Sequence, residues 1–372
     1  MKTLREKRVL ISGASFAGLS TAYRMNKLGY QVTVVEIASG LKKGGTPVNI
    51  QENTIDIVKR IRFFDQILSN KLSMGLTGFK KSDNATERAS SSHDEQPGKA
   101  EDEIKRHLLL DIMFETVQFH TEFIFGESIA SLKEENNEVN VVFKGGIKRS
   151  FDLVFDCDSI HSTVRKYGFG NEEEFSYVLK AYASVTIVNE LLIPENTSQM
   201  YNEPGKTVML NAYNNKTDIF FCFFSEHEIS YDCRDKEEQR NMIFNQFSET
   251  GWRTPELLEE VKNSKNFYFD KLCRIKIPSW TKGRIALVGN AGYCASPAAG
   301  IGGSMAIDGA AALAYAFQKC QNDFEFAFQE YNESSCPFIG EIQTNAARFG
   351  LEILILRTEE AIRQRNTYME SL

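Results

Sequence analysis

Apolar and polar positions fall into blocks along this chain, and the blocks have different periods. Arg8 to Ser12 (RVLIS) is a short apolar, β-branched run, the pattern of a buried strand. Gly13 to Gly18 (GASFAG) follows. Then LSTAYRMNKLG carries small and apolar residues at helical spacing and closes at Gly29. Val32 to Glu36 (VTVVE) is a second apolar run with an acid at its end. The prediction is strand, glycine turn, helix, strand. Residues 76–102 show no such pattern; Ser-rich and charged, they predict a surface loop. Glu103 to Val117 returns to helical spacing. Val139–Phe143 and Phe151–Phe155 read as strands around the Gly145-Gly146 turn.

From Tyr177 to Phe269 the runs become aromatic or alternating (AYASVTIV, TVMLNAY, DIFFCFF), which predicts a half-buried antiparallel sheet. Two amphipathic helices follow, EEQRNMIFNQFSE and TPELLEEVKNS. Arg284 to Gly289 (RIALVG) reads as a buried parallel strand that enters a Gly/Ala/Pro loop and then a small-residue helix, Ser304 to Phe317. From Asn345 onward the pattern is one long amphipathic helix ending in charge. The fold class is therefore α/β: a Rossmann-like nucleotide-binding domain, a second domain built on an antiparallel sheet, and a long C-terminal helix. No internal repeat is visible.

Composition narrows the partners. At 372 residues the chain suits about two domains. Its 42% hydrophobic and 25% charged content is that of a globular protein and excludes a disordered or collagen-like chain. A net charge of −7 with no basic stripe argues against nucleic acid. The apolar runs are too short to span a bilayer, and the first residues do not form a secretory signal, so a cytoplasmic location with no membrane partner is expected. Seven scattered cysteines with no C-x-x-C pair suit reduced, mostly buried thiols, and five histidines without H-x-x-x-H spacing give no metal site.

The glycine turn is the strongest chemical signal. Gly13 permits a tight turn, and Gly18 lets the helix pack closely on the sheet. The helix N-terminus, through Ser15, Phe16 and Ala17, faces a pyrophosphate. Glu36 lies where a carboxylate accepts from ribose hydroxyls. Ser15 stands in place of the usual middle glycine. The bland alternative is a strand–helix–strand turn with no ligand.

Four separated segments together resemble the class A flavoprotein monooxygenases, the FAD- and NAD(P)H-dependent aromatic hydroxylase family with the para-hydroxybenzoate hydroxylase fold. They are VLISGASFAGLSTAYRMNKLGYQVTVVE, EIKRHLLLDIM, DLVFDCDSIHSTVRK and RIALVGNAGYCASPAAGIGGSMAIDGAAAL. The wording is nearest the tetracycline-monooxygenase-like branch. The resemblance implies FAD held by Gly13, Ser15, Phe16, Ala17, Glu36, Arg106, Asp158, Asn290, Gly300, Ile301 and Gly302. It implies no catalytic side chain. The flavin carries the chemistry through a C4a-hydroperoxide formed with NAD(P)H and O2, and a loop at Pro297 and Gly300 shields it. The substrate implied is a small aromatic or polyketide-like molecule, and the protein a monomer or homodimer. The FAD domain would comprise 1–73, 100–172 and 272–335, the substrate domain 74–99 and 173–271, and the C-terminal helical segment 336–372.

Two family positions differ. Asn290 stands for an aspartate that bonds the ribityl chain, and Ser159 for a glycine after Asp158. These departures motivate an alternative, a flavin-binding protein with lost or altered turnover. A short-chain dehydrogenase would need Tyr-x-x-x-Lys well down the chain; Tyr23–Lys27 and Tyr315–Lys319 are both misplaced. His161 and Arg165 read equally as a surface pair or as an NAD(P)H contact, and Cys294 as a core thiol. Tyr182, Met209, Asn211, Phe221 and Phe223 are pocket candidates that alternation divides between two faces.

Overall fold

Arg8–Ser12 is the hub of a six-stranded sheet. It pairs in parallel with Leu153–Asp156 on one side and Gln31–Glu36 on the other. Ile285–Leu287 continues the sheet beyond Leu153–Asp156 in parallel, and Thr281–Lys282 closes that edge antiparallel. Thr121–Phe125 closes the opposite edge in parallel. A strand of almost uninterrupted apolar residues suits a position covered on both faces. Val9 and Ile11 join a core under helices Phe16–Lys27 and Gly302–Lys319, which pack on each other. Leu10 and Val35 point the other way, into a three-stranded meander of Ile129–Glu135, Glu138–Phe143 and Lys148–Phe151. The computed structural model describes residues 7–42, 44, 46–50, 52–60, 75–91 and 102–368.

The second sheet has seven strands in the order Phe267–Ile275, Ser176–Val188, Lys216–Phe224, Lys206–Tyr213, Thr197–Glu203, Leu76–Lys80, Thr86–Ser91. Neighbours are antiparallel except Leu76–Lys80, which runs parallel to Thr197–Glu203. Alternation gives the sheet two faces. Val208, Leu210, Ile219, Phe221 and Phe223 pack under helices Lys236–Phe247 and Thr254–Asn263. On the other face Ala181, Ala183, Cys222 and Leu272 meet Ala298, Leu351 and Leu354. No helix among the described residues is long and apolar enough to cross a membrane.

Four predicted elements differ. Residues 76–91 are not a loop but a hairpin at the sheet edge. Thr86–Ser91 is the edge strand, held by one neighbour, and Leu76–Lys80 beside it buries only Gly78 and Phe79, so the stretch carries no apolar alternation. Residues 92–101 lie outside the described residues. Glu103 belongs to strand Asp102–Ile104, paired with Val48–Ile50, and the helix starts at Arg106. Phe151–Phe155 splits at Asp152 into strands of two different sheets. The C-terminal helix begins at Phe324 and runs through Pro337 to Leu354; a separate helix, Glu359–Tyr368, follows. Its end is set by tertiary contact: the Leu354 carbonyl accepts from Thr207 Oγ1 of the second sheet.

Candidate functional site

The turn after the central strand is tight because two neighbours leave it no room. Gly13 has φ +99°, and a Cβ there would lie 2.5 Å from the Cys157 carbonyl oxygen. A Cβ on Gly18 would lie 1.9 Å from the carbonyl oxygen of Gly13. Only glycines let turn, helix and third segment approach this closely. Ser15 enters the helix with extended backbone and caps none of its amides. Its Oγ instead accepts from Arg106 Nη2 at 3.0 Å, and the guanidinium lies 4.7 Å from the centre of the Phe16 ring. Burial holds Arg106 below its ordinary pKa, which marks a charge set among protein groups and not one on a solvated helix face. Phe16 and Ala17 are buried. Glu36, at the end of its strand, accepts from the amides of Ala14 and Ala38, both at 2.9 Å.

The third segment wraps the far side of the turn. Asp158 Oδ1 accepts from Ser12 Oγ at 2.5 Å, and the side chain also accepts from the amides of Thr163 and Val164, so it fastens the turn to the helix Thr163–Gly168. Asp156 is wholly buried beside it, bonded by Ser162 Oγ at 2.5 Å, and burial next to Asp158 pushes its carboxyl up to about 7. Ser159 has φ +81°, a conformation natural to glycine. Arg165 is a surface residue in neither sense expected: it has no exposed area, and its guanidinium donates to the carbonyls of Ala291, at 2.8 Å, and Ile160. It ties the third segment to the fourth. His161 leaves the turn in the other direction, between Glu172 (2.8 Å) and Asp270 (3.2 Å), which raise its pKa to about 10.

The fourth segment reaches the same place from the strand Ile285–Leu287. A Cβ on Gly289, at φ +71°, would lie 3.1 Å from Ala17 Cβ, and half-buried Asn290 opens the short helix Asn290–Tyr293. The chain then turns through Pro297–Ala299 and Gly300, at φ +70°, to Ile301, which is buried, and Gly302, which starts the long helix. Pro297, Gly300 and Gly302 are exposed. Cys294 is buried, and burial pushes its thiol up to about 12, which suits a core thiol and not a redox centre.

All four segments thus converge on Gly13–Ala17. The pocket candidates divide. Tyr182, Phe221 and Phe223 lie in the helix-covered core with no exposed surface. Met209 and Asn211 are half-buried on the other face, that of Ala183 and Cys222. Sequence reasoning missed Glu172, Tyr268 and Asp270. The only available signal was a charge inside an otherwise apolar alternating run, YFDKLC.

Comparisons with known proteins agree with this geometry. The sequence profile of the family described as "FAD binding domain" matches residues 6–323. A flavin-dependent monooxygenase from an unknown prokaryotic organism is 32% identical over 338 residues, 90% of this chain and 86% of that one. A flavin-dependent monooxygenase of Legionella longbeachae is 31% identical, over 89% and 86% of the two chains. Among solved structures, the tetracycline destructase Tet(51) superposes with a TM-score of 0.87 at 29% identity, covering 97% of this chain and 95% of the other.

Proposed function

This chain belongs to the FAD-binding family of flavin-dependent monooxygenases, and from that premise we propose that it uses NAD(P)H and O2 to hydroxylate an electron-rich carbon of a small aromatic or polyketide-like molecule. The overall balance is NAD(P)H, a proton, O2 and substrate in; NAD(P)+, water and hydroxylated substrate out. FAD, when bound, supplies the redox chemistry. The observation that carries the reading is the convergence of all four segments on the Gly13–Ala17 turn.

The residues present fit FAD. The uncapped helix N-terminus at Ser15–Ala17 and the Arg106 guanidinium offer donors and positive charge to the pyrophosphate. Glu36 offers a carboxylate to ribose hydroxyls, and Asn290 offers an amide to the ribityl chain. Pro297–Gly302 brings a second helix N-terminus, also without a side-chain cap, to favour negative charge on the flavin ring. Asp158 acts by holding the turn to its neighbours. The chain's own part in the reaction is to bind, orient and exclude water. The substrate would lie between the 297–300 loop and the sheet face that carries Ala183, Met209 and Cys222. The FAD and substrate domains would then divide as the sequence divides them. That a relative of known structure is a tetracycline destructase supports a fused-ring phenolic or enolic substrate.

The test is direct. Protein purified from cells should be yellow with FAD, not FMN. NADH or NADPH oxidation should accelerate when members of a panel of phenols and tetracyclines are added, with mass gain of one oxygen in the product. FAD binding without any stimulated oxidation across the panel would instead support the reading of lost turnover, for which the strained Ser159 is the structural motive.

A further inference from the structure

Strand Phe267–Ile275 faces two ways. Phe267 and Phe269 join the helix-covered core. Tyr268, Asp270 and Leu272 project from the opposite face, opposite Val185, Ala183 and Ala181. Leu272 sits in the cluster on which Ala298 of the shielding loop packs. Asp270 is 5% exposed, whereas Tyr268 is 51% exposed. Arg106 lies within electrostatic reach of the Tyr268 phenol. Tyr268 is thus an open phenol on the sheet face against which the loop of Ala298 packs. On the functional reading above, the small molecule would lie in the cleft between this face, Arg106 and the loop of Ala298.

The donors around Asp270 are all accounted for. Its Oδ2 accepts from Tyr268 Oη at 2.9 Å and from His161 Nε2 at 3.2 Å. Its Oδ1 accepts from Tyr231 Oη at 2.8 Å and from the amide of Lys271 at 2.9 Å. Burial pushes the pKa of this carboxyl up, but the bonds from His161, Tyr231 and Tyr268 outweigh it and hold the pKa below the ordinary value. Asp270 is therefore an ionised acceptor with no proton to give. A phenol has one hydrogen. With that hydrogen committed to Asp270, the Tyr268 oxygen can only accept from anything else in the cleft.

We propose that Tyr268 is a specificity-determining residue whose oxygen accepts a hydrogen bond from an N–H or O–H group of the small molecule in the cleft, its polarity set by Asp270. The donor is either the imide N–H of the flavin or a hydroxyl or amide of the substrate. A group with acceptors only, such as a methyl ether, meets a lone pair there and is disfavoured, because a buried polar atom left without a partner is costly. The proposal rests on the functional reading above for the nature of the cleft, but its test does not need turnover.

Tyr268→Phe removes the oxygen and keeps the ring. Asp270→Asn replaces an acceptor with a side chain that can donate to Tyr268, which frees the phenol hydrogen and reverses its polarity. Three affinities are measured on each purified protein: FAD by fluorescence quenching, and 2-naphthol and 2-methoxynaphthalene by perturbation of the bound flavin's absorbance. If the donor is the substrate, Tyr268→Phe weakens 2-naphthol about three- to tenfold and leaves its methyl ether and FAD unchanged. If the donor is the flavin, the same variant weakens FAD by that factor. In either case Asp270→Asn weakens the same ligand. Unchanged affinity for FAD and both naphthalenes in Tyr268→Phe overturns the proposal, as does equal weakening of both naphthalenes, which would reduce Tyr268 to a ring contact. Retention of the full preference in a folded Asp270→Asn protein overturns the role of Asp270. Binding as expected with no oxidation of NAD(P)H would overturn the proposed reaction and leave Tyr268 standing.

Discussion

Arg106, Ser159 and Asn290 each have one dominant physical property that can be changed alone. Arg106 reaches from its own helix to Ser15 and Phe16, so its charge stands at the turn and not in solvent. Arg106→Ala is expected to weaken FAD about tenfold or more, the size of a charge-assisted hydrogen bond, in a fluorescence titration. Ser159 holds a left-handed conformation that a side chain makes costly. Ser159→Gly should raise the free energy of unfolding by about 1 kcal/mol, seen as a higher urea midpoint at unchanged slope. Asn290 is the first residue of a short helix, where a negative charge is favoured. Asn290→Asp is expected to tighten FAD binding without adding a new reaction. Equal or weaker binding at the same ionic strength would show that its neighbours have adapted to the amide. Ser159 and Asn290 stood out in the sequence as departures from a pattern; the cost at Ser159 became visible only as a backbone angle.

Elements meet here through backbone, not only through side chains. The helix Phe16–Lys27 packs so closely on the turn before it that a methyl group at Gly18 would overlap the Gly13 carbonyl. Gly18→Ala should displace the helix start. The expected result is loss of FAD binding and a lower melting temperature, whereas Gly340→Ala, inside the helix Phe324–Leu354 with nothing within 4 Å and no positive φ, serves as the control for helix content. The strands and helices that bury an apolar face were readable from period alone, as Arg8–Ser12, Gln31–Glu36 and Thr254–Asn263 illustrate. The hairpin Leu76–Lys80 and Thr86–Ser91 was not, because its order comes from pairing with Thr197–Glu203 and not from a buried face of its own. The start of the C-terminal helix was hidden for a different reason. Pro337 and Gly340 are poor helix formers, yet a helix of 31 residues carries them when its apolar side packs against the cores of both sheets.

At the scale of the whole molecule, His161 is a clasp. It leaves the turn beside the first sheet and bonds Asp270 on the edge strand of the second, with Glu172 on its other nitrogen and Lys271 bonded to Glu172 in turn. Its folded pKa is raised to about 10 from an unfolded value near 6.5. A raised pKa contributes fully below the unfolded value and is lost as pH rises through the folded one. Asp270 and Glu172 are lowered, so their share is present above about pH 4 to 5 and lost as pH falls. The clasp is therefore complete between about pH 5 and 6.5 and fades toward pH 10. In urea titrations the stability difference between the native protein and His161→Gln should be largest in that window and shrink steadily as pH is raised to about 10. A difference that stays constant with pH would mean that the imidazole serves only to fill space.

Local chemistry determined much of this protein before any fold was considered. Hydrophobic period, glycine placement and the acid at the end of the second strand are properties of short stretches, and they were enough to place the glycine turn and the two kinds of sheet and to nominate the residues around that turn. Tertiary structure decided the rest. It buried Arg165 as a tether between segments more than a hundred residues apart. It divided the aromatic strands into a helix-covered core face and an opposite face that meets the loop of Ala298, and it brought Tyr268, Asp270 and His161 together. The physical reason is the same in each case. Alternation says that a strand has two faces but not which one meets a neighbour, and a charge finds its partner only when distant strands are laid side by side.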